Sequence, residues 1–220
     1  MIAPDLRGFG PAEASTAGQR VRTLDDFADD TDALLERLGI AEGVIGGLSM
    51  GGYVALALFR RSPERFTGMV LADSRSEADS TEGQDARRKM IEMVNVSGPR
   101  AVADQLLPKL LGPTSHETRP EVAATVRRMI ESAPADAMAD AVQAMLTRPD
   151  STPNLEGISC PALVLVGAED GITPLADAEA MARRLSRSRL VVLPAAGHLS
   201  SLETPDAFSR ALEDFLISSM

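Results

Sequence analysis

With 220 residues, of which 44% are apolar and 25% charged, the chain has material for one well-buried core and is too apolar for a disordered or fibrous polypeptide. A formal net charge of -10, with no Lys/Arg run longer than three residues, argues against a phosphate backbone as ligand, so no nucleic-acid partner is expected. No stretch approaches the roughly 18 to 20 apolar residues that span a bilayer, no basic-apolar-small signal opens the chain, and Cys160 alone excludes an intrachain disulfide; no membrane partner and a cytoplasmic location are expected.

In chain order, Leu24, Phe27, Ala28, Thr31, Leu34, Leu35 and Leu38 recur at three- and four-residue spacing before Gly39, which predicts one amphipathic helix. The apolar run Gly43 to Leu48 ends in a glycine-flanked serine and is followed by the helix-competent stretch Tyr53 to Arg61, predicting a strand, a sharp turn and a helix. A strand follows at Phe66 to Ala72. From Ser74 to Glu156 only helical patterns occur, broken at Gly98-Pro99, Gly112-Pro113, Pro120, Pro134 and Pro149, so this segment reads as a helical insertion between two strands.

Cys160, ahead of Pro161 at the mouth of a strand, reads as a small buried residue. Strands are predicted at Ala162 to Gly167 and Leu190 to Leu193, with a helix from Leu175 to Leu185 between them. A last helix opens with Thr204 and Pro205 and carries Phe208, Leu212, Phe215 and Leu216 on one face. Strands alternating with helices imply an α/β fold with a mostly parallel sheet, flanking helices and a helical insertion. The chain divides as a first core part over 1–74, a helical insertion over 75–156 and a second core part over 157–220.

The pentapeptide Gly47-Leu48-Ser49-Met50-Gly51 is a weak signal alone, and its position between a strand and a helix strengthens it. A serine hydroxyl is a poor nucleophile until an imidazole takes its proton, and the imidazole needs a carboxylate to fix its tautomer. The glycines have a steric reason, because the turn forces close backbone approach; Gly46, Gly47, Gly51 and Gly52 satisfy it redundantly. Of the two histidines, His198 follows a strand through Pro194-Ala195-Ala196-Gly197, whereas His116 lies in the polar stretch Thr114-Ser115-His116-Glu117, expected to be a solvated loop. For the acid, Asp170 follows a strand in the turn Ala168-Glu169-Asp170-Gly171, and Asp73 at the end of the preceding core strand is the alternative. No His or Cys cluster has metal-ligand spacing and no dinucleotide or phosphate loop follows a strand, so neither metal nor cofactor is expected.

These segments, together with Pro4-Asp5-Leu6-Arg7-Gly8-Phe9-Gly10, Val166-Gly167-Ala168-Glu169-Asp170 and Gly197-His198-Leu199, resemble the alpha/beta-hydrolase fold family, in particular bacterial carboxylesterases and 3-oxoadipate enol-lactonase-like members. The resemblance implies Ser49 as nucleophile, Asp170 as acid, His198 as base, the Met50 N–H as one oxyanion donor and the helical insertion as the family's cap. A small, fairly apolar ester is the substrate that suits the methionine-bearing insertion. Leu48, Met129, Met138, Met145 and Leu199 are candidate pocket residues, although helix-spaced methionines such as Met90, Met93, Met129, Met138 and Met145 are more commonly core. Lactone opening or perhydrolysis would use the same triad, and a binding or oligomerisation module is the reading from another class.

The resemblance also implies that family strands one to three, and the loop giving the second oxyanion donor, lie upstream of the matching segment. Without them the strand bearing Ser49 would be an exposed edge. Three ways of covering it are expected: Met1 to Pro4 adding as a strand, a second copy pairing there as a homodimer, or further chain upstream.

Overall fold

The computed structural model describes residues 1–10 and 20–219. Four strands, β1 (Gly43–Leu48), β2 (Phe66–Ala72), β3 (Ala162–Gly167) and β4 (Ser188–Leu193), form one parallel sheet in the order β1-β2-β3-β4. All six residues of β3 and all but Thr67 in β2 are buried, as expected where parallel strands are covered on both faces.

The two faces are told apart by alternation along the strands. Met69 and Leu71 of β2, with Val164 and Val166 of β3, pack with α1 (Leu24–Arg37), α2 (Met50–Arg61) and α7 (Leu175–Arg184). Val70, Ala72, Leu163 and Leu165 face the other way, onto Ala211 and Phe215 of α9 (Pro205–Ser219). Phe27 of α1 and Leu58 of α2, at 0% and 1% exposure, are each worth about 2 to 3 kcal/mol of burial.

The regular elements of the segment between β2 and β3 are all helical, with α3 (Thr81–Leu110), α4 (Pro113–Thr118), α5 (Pro120–Ser132) and α6 (Ala135–Leu146). Every anticipated proline break inside it falls on a real feature. Helix α3 bends at Gly98, whose φ of 74° suits glycine, directly before Pro99. Pro113 and Pro120 occupy first helical turns, and Pro134 caps α6. Val94, Val102 and Ala139 form a small interior of the insertion, while Ala141 and Ala144 of α6 belong to the main cluster and dock the insertion onto it.

Several details depart from the sequence reading. His116 lies on α4 rather than in a loop, because Pro113 starts a helical turn there, and it is solvent-exposed as expected. Strand β4 begins two residues before the apolar run, since Ser188 and Arg189 sit exposed on an outer strand. Cys160 is partly buried against the main cluster, and burial pushes its thiol pKa up. Residues Met1 to Pro4 form no strand and are exposed, Ile2 at 57%, so they do not cover β1, whose one strand neighbour among the described residues is β2. Among the described residues no helix is long and apolar enough to cross a membrane.

Candidate active site

Ser49 occupies the turn between β1 and α2 with φ 52° and ψ -114°, a conformation that costs about 1 to 3 kcal/mol for a residue with a side chain. The surroundings hold it there. Its N–H donates to the Ala72 carbonyl at 2.8 Å, and the Ser74 hydroxyl donates to the Ser49 carbonyl at 3.0 Å.

Neighbouring glycines permit the turn unequally. A Cβ on Gly47 would lie 2.1 Å from the Gly51 carbonyl carbon, one on Gly46 2.5 Å from the Val70 Cβ, and one on Gly52 2.5 Å from the Ser74 hydroxyl. Gly51 has nothing within 4 Å of that position, so the close approach is carried by Gly46, Gly47 and Gly52. Met50 is the first residue of α2, so its N–H is one of the amides that a helix leaves without an internal acceptor. The positive end of the helix dipole lies at the same place.

His198 stands beyond β4, after a turn in which Ala195 takes φ 55°, and is 3% exposed. Its Nε2 is 2.8 Å from the Ser49 Oγ, a contact between residues 149 apart in the chain. Its Nδ1 is 2.9 Å from Oδ2 of Asp170 in the turn after β3. The carboxylate also accepts the N–H groups of Ile172 and Thr173 at 2.8 and 3.0 Å and the Thr173 hydroxyl at 2.6 Å. Burial alone would raise the Asp170 pKa, but the hydrogen bond and charge interaction with His198 and the Thr173 hydrogen bonds outweigh it and hold the carboxyl below its ordinary value. The set can therefore hold a proton on Nδ1 while Nε2 accepts one from Ser49.

Asp73, the alternative acid, does other work. Fully buried at the end of β2 with φ 44°, it accepts the Gly167 N–H at 2.9 Å, and the Ser200 N–H and hydroxyl at 3.2 and 2.5 Å. Burial pushes its pKa up to about 6 despite those bonds.

The anticipated pocket residues are dispersed. Leu48 packs in the α9 cluster, Met138 in the interior of the insertion with Met90 and Met93, and Met145 against the main cluster. Met129 is 57% exposed, because α5 turns the stripe through Val126 and Ile130 inward and Met129 lies off it. Leu199, partly buried, adjoins His198 in the chain.

Sequence reasoning missed two polar residues here. Thr173, three residues after Asp170, has the spacing of a local side-chain turn and was within reach of such a reading. Glu203, fully buried on the short helix α8 (Ser200–Glu203), gives no such local sign.

Residues 1–205 match the model of the alpha/beta hydrolase fold family. The chain is 30% identical over 213 residues to 3-oxoadipate enol-lactonase 2 of Acinetobacter baylyi, covering 97% of this chain and 77% of that protein. Among solved structures, a thermophilic esterase from Thermogutta terrifontis superposes with a TM-score of 0.93 at 42% identity, over 98% of this chain and 79% of the other. The enol-lactonase from Burkholderia xenovorans LB400 gives 0.86 at 30% identity, over 97% and 79%. Four parallel strands, a serine at a strand-to-helix turn and these matches along nearly the whole chain agree: the chain belongs to the alpha/beta hydrolase fold family.

Proposed function

We propose that the protein is a serine hydrolase of small, fairly apolar carboxylic esters, working through Ser49, His198 and Asp170. The observation that carries the reading is His198 itself, which reaches Ser49 Oγ with one ring nitrogen and Asp170 with the other, at 2.8 and 2.9 Å.

In this mechanism the Ser49 Oγ attacks the acyl carbon as His198 Nε2 takes its proton, and the carbonyl electron pair moves to oxygen. The Met50 N–H stabilises that oxyanion from the first turn of α2. Collapse breaks the bond to the alkoxy oxygen, which leaves with the proton from Nε2, and the acyl group stays on Ser49. Water, deprotonated by Nε2, then releases the acid and restores the serine. Asp170 remains a carboxylate throughout and holds the Nδ1 proton; its lowered pKa supports this role. The helical insertion between β2 and β3 serves as the cap over the acyl site.

The 42%-identical esterase favours ester hydrolysis, and the enol-lactonase relatives favour a second reading, in which the same triad opens a lactone. p-Nitrophenyl butyrate hydrolysis with a burst of p-nitrophenol is expected, together with labelling by a fluorophosphonate probe, both lost in Ser49→Ala. Wild-type turnover in that variant removes the triad. Faster turnover of enol-lactones than of any simple ester selects the second reading.

A further inference from the structure

Glu203 has no place in the chemistry above, yet its side chain is 0% exposed. A buried carboxylate is costly unless its oxygens are satisfied. Here the partners are main-chain amides drawn from two parts of the chain. One oxygen accepts the N–H groups of Gly197 at 2.9 Å and Leu199 at 3.2 Å, the residues on either side of His198. The other accepts the N–H of Gly112, between α3 and α4 of the insertion, at 2.8 Å.

The backbones that it bridges are in direct contact. A Cβ on Gly197 would lie 2.2 Å from the Gly112 nitrogen. A second tether runs beside it, because Glu169, next to Asp170, accepts the Thr114 N–H at 2.9 Å and its hydroxyl at 2.5 Å. Residues Gly112 to Thr114 are thus fastened by one carboxylate to the segment bearing the base, and by another to the segment bearing the acid.

We propose that Glu203 is a positioning residue, which fixes the main chain on both sides of His198 and registers the start of α4 against it. The proposal rests on the reading of Ser49, His198 and Asp170 as a triad. An apolar side chain could fill the same space but could not hold three N–H groups, and an imidazole displaced by about 1 Å loses on the order of 100-fold in rate.

Glu203→Gln is the first test, since it keeps the shape while placing an amide NH2 against an N–H donor. With p-nitrophenyl butyrate, kcat is expected to fall about tenfold or more with KM within about threefold, and fluorophosphonate labelling of Ser49 to slow in step. A loss confined to thermal stability, with kcat within about twofold of wild type, overturns the proposal. Should Glu203→Gln fail to unfold cooperatively, Glu203→Asp decides by the same limits, because it keeps the charge and is one methylene too short to span both sides. In the wild-type protein, the Gly112, Gly197 and Leu199 amides are expected to exchange with deuterium as slowly as those of β3, and free exchange at Gly197 and Leu199 also overturns it. Ser49→Ala, assayed alongside, separates the two ideas: activity in Ser49→Ala removes the triad, whereas its loss there with unchanged Glu203→Gln removes only the role of Glu203.

Discussion

Replacing Asp73 by asparagine tests whether the buried carboxyl at the end of β2 is held at an electrostatic cost. Burial lifts its pKa from 3.8 to about 6, against the pull of the Ser200 and Gly167 hydrogen bonds. At about 1.4 kcal/mol per pH unit, that rise corresponds to about 3 kcal/mol. Because the folded value lies above the unfolded one, the folded protein binds this proton more tightly. The associated stability is fully present below about pH 3.8 and is lost as pH rises through about 6. Asparagine has no such slope. The unfolding free energy of wild type minus that of Asp73→Asn is therefore expected to grow by about 2 kcal/mol between about pH 7.5 and about pH 4.5. Asparagine can still accept the Gly167 N–H, but its amide faces the Ser200 N–H, which displaces the whole curve by a pH-independent 1 to 3 kcal/mol or so. Urea unfolding followed by circular dichroism at four or five pH values measures both. A difference that stays constant to within about 0.5 kcal/mol over that range refutes the argument.

Asp170→Asn is expected to lower kcat about 10³- to 10⁴-fold for ester substrates, because the amide favours the wrong imidazole tautomer; a loss under tenfold contradicts the acid assignment. Asp170 itself has the opposite pH sign to Asp73: its folded pKa is depressed, so its stabilisation holds above the ordinary 3.8 and is lost as pH falls through the folded value, which acid unfolding of Asp170→Asn against wild type reads out. Gly47→Ala drives a methyl into the Gly51 backbone and is expected to cost about 3 kcal/mol or more, while Gly51→Ala meets open space and changes stability by about 1 kcal/mol at most; equal midpoints in urea contradict the steric account. Arg148, whose side chain is 3% exposed, donates to Asp79 at 2.8 Å and to the Glu77 carbonyl, and lies 4.3 Å over the Tyr53 ring. Arg148→Met leaves Asp79 with the Arg87 contact at 3.1 Å and removes the bond to the Glu77 carbonyl, and is expected to lower the unfolding free energy by about 2 kcal/mol, against less than about 1 kcal/mol if the pair were merely a surface contact.

What could be read from the chain alone divides along a physical line. Strands β2 and β3 were visible because a strand buried on both faces is apolar along nearly its whole length, Thr67 being the exposed exception, and α4 and α5 of the insertion because a proline suits the first helical turn. Ser49 and His198 were visible for a related reason: each sits where local backbone geometry demands glycine or a tight turn, and that demand is written in adjacent residues. Direction and burial on a helix are less local. Met129 and Met138 look alike in sequence, yet one is exposed and the other interior, because neighbouring helices, not the residue, decide which stripe faces inward. Buried acids were harder still. Glu203 stands in Ser200-Ser201-Leu202-Glu203-Thr204-Pro205, a stretch with the composition of a solvated helix start, and its burial is set by the Gly112 amide, 91 residues away. Asp73 could be seen as a carboxylate beside the sheet's carboxyl edge, but its employment on Ser200, 127 residues on, rather than on His198 depended on where the β4 turn delivers the imidazole. A reactive group is thus legible where its own turn is strained, and Asp170 is legible for the same reason. Glu203 is not, because its partners are main-chain amides that any sequence would supply.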